Sequence, residues 1–443
     1  MTPSPTREAA LFASHIAVLD AAYDRLLAAH ELDAIVIHSG TPKRRSLYDD
    51  QYWPLRPTPH FEHWVALGEA GCVLVKEAGK PARVIWPLVT DFWERPRAPA
   101  IEHVQNALEL VRCTHGQVAD FVPTGRVAFV GEDRLARQAL APFAEADPPA
   151  LLRDLDALRV KKTAWEVHCL TQANTLAARG HDHVLARFRG GLRNELELHL
   201  EYLRATAQDD WETPYKNIVA LGTHASILHH VGYSKEGVQS ASILLDAGAS
   251  YKGYASDITR TWVDGTEPRA ATFAALVAGM ERLQQELCAE GRVGLPYEEL
   301  HDASHRKVSA LLVEAGVVRG SAEEVDALGI SRVFYPHGLG HSLGLQCHDV
   351  GCGLAIAKAN NPFLRNTTRI EAGQTFTIEP GLYFTDTLLA ELRERPEGAL
   401  VAWHLVDELA PFGGIRIEDD VLVGATGADN LTRPVLPVGG ATL

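Results

Sequence analysis

The sequence predicts an α/β (α+β) protein of two domains. Its 443 residues exceed the roughly 250 to 300 residues at which one hydrophobic core stops growing. Short apolar runs typical of buried strands alternate with segments of helical periodicity, and the pattern changes between Leu155 and Lys162. We therefore expect an N-terminal α/β domain over residues 1–157 and a second domain over residues 158–443.

The first domain is predicted to begin with a helix over residues 8–29, where apolar side chains recur at helical spacing. Short apolar runs then predict buried strands at residues 33–38, 71–76, 83–86 and 126–131, with a helix at 132–143. A loop over residues 41–61 contains three prolines, which we expect to exclude regular structure. Because long loops in compact domains are often functional, a lid, a subunit contact and a plain surface loop all stay open.

Signals for helix starts mark four helices in the second domain. Thr163 with Glu166, and Asn194 with Glu197, each place a capping residue three positions before a glutamate. Proline suits the first turn of a helix, so Pro268 is predicted to open a third. The expected helices begin near residue 163, span 194 to about 207, span 268–290 and span 297–316.

Composition excludes several classes of partner. The chain has 42 basic and 57 acidic residues, a net charge of −15, which argues against nucleic acid and anionic membranes as partners. Its six cysteines are scattered without CxxC spacing and are expected to be buried or free thiols in a reducing compartment. No signal peptide or apolar run of membrane-spanning length is present. We expect a cytoplasmic protein.

Two carboxylates lie in apolar and β-branched surroundings between Leu244 and Trp262. We expect Asp246 and Asp257 on two strands joined by a tight connection, one carboxylate on each. A buried carboxylate loses its charge, pairs with a cation or binds a metal. Arg260 could supply the cation, so a buried ion pair and a metal site are both open here.

Three later segments have the same character. Residues 335–349 hold three histidines among glycines, and two further acids each lie in a β-rich run, one of them with an arginine two residues earlier on the same strand face. Strand-borne acids with one histidine form a hard, oxygen-rich ligand set, which suits a pair of manganese, cobalt or zinc ions. Such a pair activates a shared water for hydrolysis. The residues are His337, His341, His348, Glu379, Glu418 and Arg416.

Together these segments resemble the metallopeptidases of the pita-bread fold, which include methionine aminopeptidase, aminopeptidase P and prolidase. The resemblance rests on DAG with SDITRTW, then PHGLGHSLGLQCHDVG, TIEPGLYF and GIRIEDDVLV. It covers nearly all of residues 158–430 and implies a pita-bread (creatinase/aminopeptidase-like) catalytic domain. The long segment between Glu379 and Glu418, with FTDTLLAEL after EPGLYF, is most similar to bacterial prolidases, which are close to organophosphorus acid anhydrolases.

The resemblance implies two divalent metal ions per subunit, manganese first, with cobalt and zinc as alternatives. It implies the metal ligands Asp246, Asp257, His341, Glu379 and Glu418, of which Asp257 and Glu418 would bridge the ions. It also implies the catalytic residues Glu379, His229, His337, His348 and Arg416, and the substrate-binding residues Arg365, His229 and His348.

The roles follow from the same resemblance. Glu379 would act as general base and then acid, while His337 and His348 would contact substrate and stabilise the oxyanion. Arg416 would orient the carboxylates. A guanidinium fork suits a dipeptide's free carboxylate, which favours Arg365, with Arg369 as a competing candidate. His230 stands where prolidases often have tyrosine.

The implied function is hydrolysis of Xaa-Pro dipeptides by a hydroxide that bridges two metals, in a homodimer, with a side activity on organophosphorus triesters. The tertiary amide of an Xaa-Pro bond has no hydrogen, which calls for a dedicated site. An aminopeptidase P-type enzyme is the first alternative. A catalytically silent pita-bread binding module and a metal-free creatinase-like enzyme are others, against which the complete ligand set argues.

Overall fold

The computed structural model describes residues 5–88, 93, 101–104, 106–265 and 268–438. The chain divides into two compact units, Met1–Glu166 and Val167–Leu443. A sequence boundary at 157/158 stays a prediction. Within the described part of the chain, no helix is both long enough and apolar enough to cross a membrane.

The N-terminal unit is built on one mixed sheet. Its helices are α1 (Pro5–Ala29), α2 (Pro59–Glu62), α3 (Arg134–Leu140) and α4 (Pro149–Leu158), with a 3-10 helix at His115–Phe121. Its strands are β1 (Ala34–His38), β2 (Val73–Glu77), β3 (Arg83–Pro87), β4 (Glu109–Cys113), β5 (Val127–Val130) and β6 (Glu145–Ala146). The strand order is β4-β3-β2-β1-β5-β6, and the fully buried β1 lies antiparallel to β2 and parallel to β5.

The predicted first helix and four apolar strands are confirmed in this unit, with small shifts at their ends. Strand β4 was not predicted, because Glu109 and Arg112 interrupt its apolar run. The loop after β1 contains no helix or strand up to Thr58 beyond an isolated bridge between Arg44 and Tyr52. The expectation that its prolines exclude regular structure is wrong at Pro59, which opens α2 from the first position, where proline is favourable.

The second unit alternates short strands with helices. Its helices are α5 (Ala164–Arg189, beginning just before the division), α6 (Glu195–Thr206), α7 (Pro268–Glu290), α8 (Tyr297–Glu314), α9 (Ala322–Ala327), α10 (Ser331–Phe334), α11 (Asp386–Glu394) and α12 (Trp403–Leu409), with 3-10 turns at Gly222–Ser226, Pro396–Leu400 and Ala410–Phe412. Its strands are β7 (Ile218–Leu221), β8 (Ser242–Asp246), β9 (Ser250–Tyr251), β10 (Tyr254–Ala255), β11 (Thr259–Val263), β12 (Thr375–Ile378), β13 (Gly381–Tyr383), β14 (Gly414–Arg416), β15 (Asp419–Val423) and β16 (Ala428–Asn430).

The helix-start signals are confirmed. The backbone N–H of Thr163 donates to the Glu166 carboxylate at 2.8 Å, and the Glu166 N–H faces the Thr163 hydroxyl at 3.4 Å. The Asn194 side chain accepts from the Glu197 N–H at 3.0 Å and caps α6. Pro268 is the first residue of α7. Hydrogen bonds at these caps therefore fix where the helices begin.

Three small antiparallel sheets carry the functional segments: β11-β8-β7, β12-β15-β16 and β13-β14. Thr259, at the start of β11, lies opposite Asp246 of β8 and forms an isolated bridge with Glu418. A second bridge joins Ser342 to Phe376 of β12. These pairings bring the ends of β8, β12 and β14 to one place, although they are far apart in sequence.

Candidate metal centre and active site

Four predicted carboxylates lie where strands end in the second unit. Asp246 is the last residue of β8, Glu379 follows β12, and Glu418 lies between β14 and β15. Asp257 precedes β11, so the expectation that each strand of the hairpin carries one aspartate is correct for Asp246 and wrong for Asp257. The Asp257 N–H points at the Asp420 carboxylate, at 3.1 Å, instead of joining the strand ladder.

His341 completes this group. Its Nε2 lies 3.4 Å from Oδ2 of Asp257 and 3.7 Å from Oε1 of Glu379. Nδ1 lies 3.1 Å from the carbonyl of Ser342, a contact that suits an Nδ1–H donor and leaves Nε2 available to a metal ion. Ligand atoms of Asp257, His341 and Glu418 all lie within 4.8 Å of one another. The structure therefore brings all five predicted ligands together.

The alternative of a plain ion pair with Arg260 is wrong. Arg260 turns away from Asp246 and Asp257 and donates to Asp419 at 2.8 Å and to the carbonyl of Glu418 at 2.8 Å. The guanidinium that reaches the cluster is Arg416, whose Nη2 donates to Oδ2 of Asp246 at 2.6 Å. Arg416 thus holds one carboxylate of the predicted ligand set.

Electrostatics in the cluster show an excess of negative charge. Burial, with the charges of Asp257 and Glu379 adding, raises the pKa of Glu418 well above its ordinary value. Burial also raises the pKa of Asp246, against the opposing charge of Arg416, and that of Glu379 to about 7, with His341 opposing. Four carboxylates buried this close together keep their charges more readily when a cation lies among them.

This ligand set fits divalent metal ions. Burial opposes the charged form of His341, yet the hydrogen bond to Asp257 and the charge of Glu379 outweigh it and raise its pKa to about 9. The raised pKa means that His341 is protonated and carries a positive charge among the four carboxylates. Four carboxylates and one imidazole are ligands that manganese, cobalt and zinc accept. The residues present therefore fit the group that the sequence predicts.

Two tyrosines that sequence reasoning missed lie against the cluster. The Tyr215 hydroxyl is 2.7 Å from Oδ1 of Asp246 and 2.6 Å from Oδ1 of Asp257, so it links the two aspartates. The Tyr383 hydroxyl accepts from Nη1 of Arg416 at 2.9 Å. Tyr383 could have been suspected from its place in EPGLYF, whereas Tyr215 lies in the segment between α6 and β7, where no pattern marks it.

His337 lies on the other side of Tyr383. Its Nε2 is 2.9 Å from the Tyr383 hydroxyl, and its Nδ1 is 2.8 Å from the carbonyl of Gly338 and 3.7 Å from Glu379. Burial, with the charge of Arg416 adding, lowers the pKa of His337 to about 3. A neutral His337 donates from Nδ1 to Gly338 and accepts from Tyr383, so its ring supports Arg416 and Glu379 in this arrangement.

The predicted substrate residues His229, His348 and Arg365 are exposed, and His348 lies against His341 of the predicted ligand set. The His341 and His348 rings are 4.2 Å apart between centroids. Burial, with His341 and Arg365 adding, lowers the pKa of His348 to about 4, and His229 contributes to the same shift. Arg365 and His229 therefore each lie within electrostatic range of His348. Arg369 instead donates to the carbonyl of Gly294, whereas Arg365 lies within electrostatic range of His348, which favours Arg365 of the two.

A buried carboxylate anchors the segment that carries His229. Glu195 is fully buried and accepts from the backbone N–H groups of Leu221 and Ser234 at 2.9 and 2.7 Å. It also contacts His224 at 2.6 Å and His230 at 2.9 Å. Sequence reasoning read Glu195 only as part of a helix and noted His230 only as a departure from tyrosine. In the structure, Glu195 and His230 together fix the loop between β7 and β8.

Known protein families match both units of the chain, each over most of its length. Residues 168–425 match the family described as metallopeptidase family M24, and residues 10–156 match the N-terminal domain of Xaa-Pro dipeptidase. An Xaa-Pro dipeptidase of Pseudoalteromonas atlantica is 37% identical over 96% of this chain and 98% of the relative. One of Shewanella woodyi is 40% identical over 95% of this chain and 97% of the relative.

Solved structures share the fold. Aminopeptidase P II from Yersinia pestis superposes with a TM-score of 0.67 at 24% identity, covering 91% of this chain and 92% of that one. Zinc-substituted aminopeptidase P from E. coli, in complex with product, gives 0.67 at 24% identity over 91% of each chain. The predicted pita-bread catalytic domain is thus confirmed. With both units matched, the chain belongs to metallopeptidase family M24 and, within it, to the Xaa-Pro dipeptidase family.

Proposed function

We propose that this metallopeptidase hydrolyses Xaa-Pro dipeptides with two divalent metal ions held by Asp246, Asp257, His341, Glu379 and Glu418. The observation that carries the proposal is the convergence of these five side chains, from separate segments, into one mostly buried cluster with excess negative charge. Relatives described as Xaa-Pro dipeptidases over nearly the whole chain support the choice of substrate.

When bound, the two ions supply a hydroxide nucleophile near neutral pH and polarise the substrate carbonyl. Glu379 accepts the proton of the attacking water at a carboxylate oxygen and passes it to the leaving nitrogen. That transfer is essential because the proline nitrogen, lacking a hydrogen in the peptide bond, must leave as an amine. Arg416 and Tyr215 keep Asp246 in place throughout.

The exposed side of the site binds the dipeptide. Arg365 supplies a planar guanidinium for the free carboxylate of the proline residue, with His229 as a second contact to substrate. His348 is neutral near pH 7, because its pKa lies at about 4, and it offers a ring N–H to the oxyanion without adding charge. A carboxylate anchor close to the metals leaves little room for a longer peptide, so the enzyme prefers dipeptides.

We also propose a homodimer in the cytoplasm, using manganese, with a secondary activity on organophosphorus triesters. All six cysteines lie in the described part of the chain and are free thiols, as expected in a reducing compartment. Leu47 and Tyr48 of the loop after β1 are 89% and 99% exposed, which favours a subunit contact there. The triester activity follows from attack of the same nucleophile on phosphorus.

The proposed function is tested by stripping the protein with chelator, reloading it with manganese and measuring hydrolysis of Xaa-Pro dipeptides, Xaa-Pro tripeptides and a phosphotriester. We expect metal-restored activity mainly on dipeptides. Preference for tripeptides would replace the proposal with an aminopeptidase P-type activity. Bound metal without any hydrolysis would replace it with a binding function.

Replacing Arg365 with alanine is expected to lower kcat/KM for Xaa-Pro dipeptides roughly 10- to 100-fold, mostly through KM, because one charge-assisted contact is worth about 1.5 to 3 kcal/mol. Xaa-Pro amides, which lack the carboxylate, should lose little. Arg369→Ala is the matched control, since that exposed guanidinium is committed to the Gly294 carbonyl. Equal losses on dipeptides and amides would refute a role in carboxylate binding.

A further inference from the structure

Cys347 places a thiol inside the predicted metal centre. Its Sγ donates to Oδ2 of Asp257 at 2.9 Å, and the same oxygen lies 3.4 Å from Nε2 of His341. The other oxygen of Asp257 faces Tyr215. The sulfur therefore lies on the side of Asp257 that faces His341.

The position of this sulfur differs from that of the other cysteines. Five of the six are buried, whereas Cys347 is partly exposed. Its Sγ and ring nitrogens of His341 and His348 all lie within 4.8 Å of one another. Sulfur and nitrogen ligands of one tetrahedral zinc ion lie roughly 3.6 Å apart, given bond lengths near 2.3 and 2.05 Å. Small side-chain movements would bring Cys347 and His341 to one ion.

We propose that Cys347 is a ligand of the metal ion that Asp257 and His341 bind. The inference rests on the metal centre of the proposed function and adds a sulfur to its oxygen and nitrogen ligands. On binding, the S–H bond breaks, a metal–sulfur bond forms and the proton leaves to solvent. The contact between Cys347 and Asp257 is replaced in the process.

A sulfur ligand changes which ion the centre prefers. Thiolates favour softer ions such as zinc, while carboxylates and water suit manganese. The ion on the Cys347 side is therefore expected to be zinc or cobalt, and the manganese of the proposed function would occupy the second site. The second ion would be held by Asp246 and the bridging carboxylates, which supply only oxygen ligands. Its metal can therefore differ from that of the ion on the Cys347 side.

Cobalt(II) titration of the metal-free full-length protein tests the proposal without measuring activity. Tetrahedral or five-coordinate cobalt gives visible d–d bands, and a cobalt–thiolate bond adds a charge-transfer band in the near ultraviolet. We expect both in the unmodified protein. Cys347→Val and Cys347→Ser should keep the d–d bands and lose the charge-transfer band, whereas Cys352→Ser, which changes a buried cysteine nearby in sequence, should keep both.

Competition between zinc and manganese gives a second readout. We expect Cys347→Val to lower the preference for zinc over manganese by about tenfold or more. In the unmodified protein, d–d bands without charge transfer, or a charge-transfer band that survives in Cys347→Val, would overturn the sulfur ligand and leave the metal centre intact. Absence of d–d bands in the unmodified protein would overturn both. The dipeptide assay on the same samples reports separately on the proposed activity.

Discussion

Glu418→Gln is expected to lower kcat/KM for Xaa-Pro dipeptides about a thousandfold while leaving the metal-free protein at least as stable as before. Glu418 is 2% exposed, and burial with neighbouring carboxylate charges raises its pKa well above the ordinary range, so its negative charge is costly in the metal-free chain. Glutamine keeps the shape of the carboxyl group without its charge, and its carbonyl still accepts from the Thr259 hydroxyl, which donates to Oε2 of Glu418 at 2.6 Å.

Function should respond in the opposite direction, because a neutral amide would be a much weaker ligand than a carboxylate for the two metal ions that Glu418 is proposed to help hold. Loss of about 4 kcal/mol of transition-state stabilisation by the metals corresponds to a fall in kcat/KM of about a thousandfold. Urea unfolding of the metal-free protein, calorimetric titration with manganese and dipeptide kinetics measure the three quantities. Glu408→Gln, at a surface position beside His404, is the control. Unchanged manganese affinity in Glu418→Gln would show that Glu418 is not a ligand.

The sequence predicted the residues of the centre better than the contacts that bring them together. Asp246 and Glu379 follow apolar runs that form strands, so local pattern places them correctly. Asp257 leaves its strand because its N–H points at Asp420, a residue far away in sequence. Arg260 similarly finds its partner, Asp419, across two sheets. Pairings of this kind depend on tertiary contacts that periodicity does not encode.

The residues missed at the site have the same explanation. Tyr215 lies in an irregular segment after α6 and becomes significant only because its hydroxyl reaches two aspartates. Cys347 shares with the other cysteines only the expectation of a buried or free thiol, whereas its sulfur contacts Asp257. Glu195 begins α6 and was read as part of a helix start, yet it is the carboxylate that holds the His229 loop. A side chain's chemistry can be read from sequence, whereas its partner needs the fold.

Arg416→Gln is expected to destabilise the metal-free protein by about 3 kcal/mol or more, the cost of leaving one member of a buried ion pair without its partner. Arg416 is 4% exposed and donates to Asp246, Tyr383 and Thr259. Its loss leaves Asp246 facing other carboxylates without a guanidinium. Manganese should restore part of the stability, because it binds the folded state and supplies the missing positive charge.

The opposite signs expected for Arg416→Gln and Glu418→Gln can be tested against each other in a double-mutant cycle. If shared electrostatics govern both residues, removing the Glu418 carboxyl should reduce the cost of losing Arg416, so the double variant should be more stable than the sum of the singles predicts. Urea unfolding of the four metal-free proteins gives the interaction free energy. Strict additivity would mean that Arg416 acts through its packing and its contact with Tyr383, and that repulsion among the carboxylates does not control the stability of the metal-free centre.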